Sequence, residues 1–348
     1  MAITIADYSY RQLITGDAPA SSLSGFVVLI TEANVDSTFW DNVDNGGGDV
    51  RVSINSDGTS QLPLEIILCN TTTDKLIAWV RFPTYSTSAR ELYVFSGNTG
   101  QTQPAATDTF GSQAAWQDYR FVSHDGGGTD STGNFTLTPD GTVVAGDAIG
   151  KIGSATAFNS YRSFNSDAVI MRTLSTNFHL SMWFQSSNLG QNKALWQAAD
   201  SDTRVLRLDQ NKIFYAPYGA GGGKTEYLSS PDITADTWYY ATATREFNVQ
   251  ARLIVNGVSQ GVSAGSNAST ITIGPEEIGA GISGLIDEIF VYDGQPAEPL
   301  LLDQVAYSNQ SNPANFWTQS TPDDPSGGGG GIALIPVIMN HLRNQGIA

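Results

Sequence analysis

Apolar residues in this chain recur at every second position, in short runs broken by turns. That period constrains its fold more than any other feature. Tyr8-Ser9-Tyr10-Arg11-Gln12-Leu13-Ile14 is followed by Thr15-Gly16-Asp17-Ala18-Pro19 and then by Gly25-Phe26-Val27-Val28-Leu29-Ile30. Successive side chains of a strand point to opposite faces, so alternation marks half-buried β-strands. Further runs lie at Val50–Ile54, Leu62–Leu68, Leu76–Phe82 and Glu91–Phe95, with Asn55-Ser56-Asp57-Gly58 as a turn between two of them. No long amphipathic helical window interrupts them, so residues 1–100 read as an all-β domain.

Residues 101–115 are small and polar and read as a linker. A second series of runs follows, including Leu180–Gln185, Val205–Leu208, Trp238–Thr244, Arg252–Val255 and Leu285–Tyr292, with Asn256-Gly257 among the turns. Such spacing predicts a β-sandwich over 116–320, with one short helix over 297–307. The remainder, 321–348, differs in kind. Gly327–Gly331 is a flexible linker by composition. The segment after it carries Ile332, Leu334, Ile335, Val337, Ile338, Met339 and Leu342. It is too short to span a bilayer, and exposing it to water is costly at roughly 0.8 kcal/mol per CH₂ left unburied. It reads as a docking segment for a larger assembly, or alternatively as a tail that packs back on its own sandwich.

The chain carries 34 acidic and 17 basic side chains, a formal charge of −17, spread along its length. With no Lys or Arg run, a nucleic-acid partner held through phosphate neutralisation is excluded. The single cysteine, Cys69, cannot form an internal disulfide and sits in an apolar run, as a small buried hydrophobe would. No stretch of 18 apolar residues exists, so no membrane-spanning helix is expected, and Met1-Ala2-Ile3-Thr4 has no features of a secretory signal.

Two regions resemble known families. Residues 8–98 resemble the DUF2341 module through Tyr8-Ser9-Tyr10-Arg11, Phe39-Trp40, Gly48-Asp49-Val50-Arg51-Val52, Leu62-Pro63-Leu64-Glu65-Ile66, Ala78-Trp79-Val80-Arg81-Phe82-Pro83 and Tyr93-Val94-Phe95-Ser96-Gly97-Asn98. Residues 116–317 resemble the laminin-G-like, concanavalin A-like domain that commonly follows it. The matching blocks include Trp116-Gln117-Asp118-Tyr119-Arg120-Phe121, Phe178-His179-Leu180-Ser181-Met182-Trp183-Phe184, Arg252-Leu253-Ile254-Val255-Asn256-Gly257 and Gly284-Leu285-Ile286-Asp287-Glu288-Ile289-Phe290. The resemblance implies two β-sandwich domains, the second a concanavalin A-like jelly roll used for carbohydrate or protein recognition and for structural display.

That fold also houses glucanases, so catalytic spacing matters. A retaining glycosidase needs two carboxyls about 5–5.5 Å apart. On a regular strand this requires acids at alternate positions, as in Glu-x-Asp-x-x-Glu, and no such spacing occurs. Asp287-Glu288 and Glu276-Glu277 are adjacent pairs, which a regular strand sends to opposite faces. Three scattered histidines, His124, His179 and His341, support neither a serine triad nor a zinc site. Gly219–Thr225 imitates a phosphate loop, but Tyr218 stands where its first glycine belongs. A non-enzymatic protein is expected.

The laminin-G resemblance implies calcium as a cofactor, with Asp287 and Asn159 as ligands; alternatively Asp287 caps backbone groups. Trp196, Tyr215, Tyr218 and Tyr227 are candidates for stacking on sugars, although most aromatics of a sandwich belong to its core. Together these readings point to a virion surface protein of a tailed bacteriophage, a tail fibre, tail-tip adhesin or head decoration. Its expected partners are other virion proteins, reached through the C-terminal segment, and a host-surface glycan, and it is expected to be oligomeric. The alternatives are a bacterial carbohydrate-binding or adhesion protein and a polysaccharide depolymerase.

Overall fold

A computed structural model describes residues 3–141, 143–159, 163–170, 177–190, 193–198, 204–215, 228–246, 249–264 and 275–326. The described chain is nearly all β, as the alternation predicts, and every strand pairing is antiparallel. Four sheets stack as two sandwiches set back to back.

The first sandwich pairs a three-stranded with a four-stranded sheet. The three-stranded sheet runs Leu23–Thr31, Lys75–Tyr85, Leu64–Asn70. The four-stranded sheet runs Trp317–Gln319, Tyr10–Gly16, Glu91–Ser96, Arg51–Ser53. Ile14, Phe26, Val28, Val80, Phe82 and Val94 fill the space between them. Its end strand, Trp317–Gln319, comes from far along the chain, and the Arg11 guanidinium meets Asp323 just beyond it. Cys69 is buried here, and burial pushes its thiol up to about 11, as befits an inert apolar side chain.

The second sandwich pairs an eight-stranded inner sheet with a seven-stranded outer sheet. The inner sheet is centred on Phe178–Ser186 and Ser283–Tyr292, and the outer sheet on Lys193–Ala198 and Glu276–Ile278. The inner sheet is buried on both faces. Phe178, Leu180, Met182 and Phe184 point into the sandwich core. From the opposite face, Trp183 packs toward the first sandwich and His179 lies 3.3 Å from the buried Asp303. A strand covered on both sides reads as a near-continuous buried run, and eight of the nine residues of Phe178–Ser186 are buried.

Between the sandwiches lies an aromatic layer of Trp79, Trp116 and Phe290, with ring centroids 5.5–5.6 Å apart. The helix Pro299–Ser311 completes that layer, over nearly the segment expected to be helical. Proline at its start is favoured because the first helical N–H has no intrahelical partner. Leu302, Val305 and Ala306 pack into the core of the first sandwich, while Gln310 accepts the Trp183 indole N–H at 2.7 Å. Asn309 satisfies the edge strand Leu23–Thr31. Its Oδ1 accepts from Leu29 N–H at 2.6 Å, and its Nδ2 donates to Leu29 O at 3.0 Å.

Asn309→Ala removes a buried amide that completes this strand edge. We expect a loss of about 1–3 kcal/mol, the cost of leaving buried backbone groups without partners, read as a lower urea midpoint with an unchanged slope.

Candidate functional site

Strand Ser283–Tyr292 departs from regular pleating at Glu288, whose φ is +48°. The pairing register with Phe178–Ser186 shifts at the same place. Ile286 and Ile289, three residues apart, therefore both enter the sandwich core, and the two residues between them leave on the other side. This overturns the expectation that Asp287 and Glu288 take opposite faces. By contrast, Glu276 and Glu277 follow the regular pleat. Glu276 shares the inward face of Ile278 and accepts Ile170 N–H at 2.7 Å, while Glu277 points outward.

The bulge delivers Glu288 to His124, which follows strand Tyr119–Ser123. His124 Nδ1 lies 2.6 Å from Glu288 Oε2, and its Nε2 lies 3.1 Å from Oε2 of Glu65 on the first sandwich. Trp116 Nε1 donates to the same Glu65 oxygen. The imidazole stacks on Trp79 at 5.5 Å. Asp287 turns toward the loop before strand Ser154–Asn159, where its Oδ2 accepts Ile152 N–H at 2.8 Å. Only glycine fits at position 150, because a Cβ there would come within 2.5 Å of that oxygen.

Burial alone would depress the His124 pKa, but the facing Glu288 and Glu65 carboxylates override it and raise it to about 10. Burial raises Glu288 to about 7 against the pull of His124. Glu65 is also buried, yet its hydrogen bonds from His124 and Trp116 bring it below the usual carboxylate range. Burial and the neighbouring Glu288 hold Asp287 well above that range. At neutral pH the arrangement is an imidazolium–carboxylate pair, Glu65 with His124, extended by a titrating Glu288. It joins the two sandwiches and is walled by Trp79, Trp116 and Phe290. Its chemistry is that of a buried ionic clasp.

The residues singled out from sequence fall elsewhere. Asn159 is exposed at the end of its strand and pairs with Ser283, four positions from Asp287 along the partner strand, so the two are not brought together. Asp287 instead binds backbone. Among the described residues, no group of three His, Cys, Asp or Glu side chains is placed to hold a metal ion. Trp196 and Tyr215 lie in the sandwich core with no exposed surface. Tyr218, Tyr227, the Gly219–Thr225 string and the segment Ile332–Leu342 lie outside the described residues. The clasp residues Glu65, His124 and Glu288 escaped sequence reasoning. Glu65, an acid within the apolar run Leu62–Leu68, was the one available sign.

Outward positions of the outer sheet are filled by the sequence neighbours of those buried aromatics. Register places Thr138, Asn165, Glu277 and Gln197 in one cross-strand row. Ser163 Oγ donates to Glu277 Oε1 at 2.8 Å, and Gln197 Nε2 donates to Oε2. Phe214, between inward Ile213 and Tyr215, is partly exposed beyond this row, and the Arg207 guanidinium lies 5.1 Å from its ring centroid. Phe214 pairs with Arg207 and Arg207 with Ala194, three residues along the strand from Gln197, so the polar row and the aromatic ring are separate features of one sheet face.

Residues 157–298 match the concanavalin A-like lectin/glucanases superfamily, so this part of the second sandwich is a domain of that kind. No curated protein matches the chain. Among solved structures, one similar to this chain is domain 4 of AbnA, a GH43 extracellular arabinanase from Geobacillus stearothermophilus, in complex with arabinotriose. It is 19% identical over 54% of this chain and 98% of that one, with a TM-score of 0.41. The botulinum neurotoxin serotype D binding domain is 13% identical over 57% and 53%, with a TM-score of 0.46. The binding domain of Paraclostridial Mosquitocidal Protein 1 is 15% identical over 57% and 52%, with a TM-score of 0.44. The chain spans about half the length of these two binding-domain structures.

The clasp gives stability a defined pH dependence. His124 binds its proton more tightly folded than unfolded. Its contribution is complete below about pH 6.5 and is lost as pH rises through about 10. Glu288 acts in the same direction, complete below about pH 4.5 and lost through about 7. Glu65 acts oppositely and loses its contribution only in acid. Urea melts of the wild type should fall between pH 5 and 10, by up to about 1.4 kcal/mol per pH unit for each group titrating. His124→Gln should cost about 3–5 kcal/mol at pH 6 and flatten the upper part of this slope.

Proposed function

We propose that this protein is a non-enzymatic recognition protein whose outer sheet meets a saccharide, carried on the surface of a tailed-phage virion. The observation that carries the reading is the disposition of the lectin-like sandwich. Its inner sheet is covered by the first sandwich, and its outer sheet bears the row Asn165, Glu277, Gln197, with the partly exposed Phe214 two strands away on the same face. A face so arranged suits stacking and hydrogen bonding to a sugar. The surrounding charge of −17 disfavours polyanionic glycans and favours neutral ones. Ion-paired and buried, the carboxylates of the clasp are held away from solvent, which supports a structural rather than a hydrolytic use. The first sandwich, of the DUF2341 kind, acts as the stem, and the C-terminal segment attaches the protein to the particle.

A glycan array probed with the full chain is expected to show binding to neutral glycans. Gln197→Ala should weaken it roughly tenfold, about 1.4 kcal/mol. Release of reducing ends from a bound glycan would overturn the non-enzymatic reading. Absence of the protein from mass spectra of purified virions would overturn the placement.

A further inference from the structure

A cleft of about 500 Å³ opens where the two sandwiches and the end of helix Pro299–Ser311 meet. Leu68 and Ile77 of the first sandwich, Ile149 and Ile152 of the second, and Pro313 give it apolar walls. Two sheets end at it. Strand Leu64–Asn70 closes the three-stranded sheet, and Ala148–Ile149 closes the eight-stranded one. Ile149 is 88% exposed and Leu68 37%, so the rim presents large apolar side chains to water. Both ammonium groups in the lining are already engaged. Lys75 pairs with Glu32, while Lys151 donates to Ser311 O at 3.3 Å and lies 5.2 Å from the Trp183 ring centroid. What remains for an occupant is apolar surface, which suits an extended apolar peptide held by its side chains, since the edge of Leu64–Asn70 already bonds Phe110 and Gly46.

We propose that in the unassembled protein this cleft holds the chain's own segment Ile332–Met339. That segment is apolar, carries no charge and is rich in β-branched residues. The chain also ends in the right place. Gln319 Nε2 donates to Ala33 O, next to the cleft residues Thr31 and Glu32. Ser326 lies seven residues beyond Gln319, at most about 23 Å away, and Ile335 lies nine residues further, a reach of about 30 Å. Five glycines in that stretch let it double back without strain. The segment thereby covers its own apolar surface and that of Ile149 and Leu68 until assembly withdraws it.

The test uses the full chain. Ile149→Cys is combined in turn with Ile335→Cys, Val337→Cys and Ile338→Cys, leaving Cys69 buried, and mild oxidation follows. We expect at least one pair to form a disulfide within the monomer. It should form at least tenfold faster than with Val258→Cys, which is 61% exposed at the far edge of the inner sheet. Equal rates at Ile149 and Val258 would overturn the proposal. So would a disulfide found only between chains, which would assign the cleft to a neighbour's segment. In a second measurement, Ile335→Asp with Ile338→Asp should speed amide exchange in strands Leu64–Asn70 and Ala148–Ile149 roughly tenfold while leaving Phe178–Ser186 unchanged. Unaltered exchange in those edge strands would also overturn it. Neither readout depends on glycan binding.

Discussion

The inner sheet of the second sandwich is buried on both faces, and much of the rest of the structure follows from that constraint. A sheet so enclosed cannot leave polar side chains to water, so those on its covered face turn to partners within the sheet or in the layer opposite. Glu288 finds His124, the Tyr240 hydroxyl donates to Ser181 at 3.0 Å, and Asp303 of the helix accepts the Thr242 hydroxyl at 3.0 Å. The first sandwich and the helix are thus the complement of this face. The clasp, in which His124 lies between Glu65 and Glu288, is the most costly of these pairings to break, because removing one member strands a charge out of water.

The same constraint explains why the chain runs as it does. After the second sandwich ends at Tyr292, the helix Pro299–Ser311 and the strand Trp317–Gln319 return to the first. Asn309 and the Trp317 indole N–H both bond Leu29, so the edge strand of the first sandwich is completed by residues nearly three hundred positions later. Contacts so distant in sequence tie the termini of the described chain together and resist separation of the two sandwiches.

Strand positions were readable from sequence because period-2 alternation is a local property, and the helix expected over 297–307 lies at Pro299–Ser311. The site was less so, for two physical reasons. Facing depends on parity, and parity survives only in regular strands. Glu276 and Glu277 obey it, whereas one left-handed residue at Glu288 turns Asp287 and Glu288 to the same side. Likewise Trp196 and Tyr215 are inward while Gln197 and Phe214, one residue away, are outward, a choice set by pairing register. The clasp was hidden for a different reason. Glu65, His124 and Glu288 are separated by 59 and 164 residues, and nothing local announces that they meet.

Packing also decides where recognition can occur. A lectin-like sandwich has two outward sheet faces, and here one of them is committed to internal contacts through Trp183, His179 and Phe290. The sheet face left open is that of the outer sheet, on the side away from the first sandwich. A ligand bound there would pull against the aromatic layer and the clasp, not against a flexible joint. Tension would fall on Trp79, Trp116, Phe290 and His124, which are all buried and mutually packed.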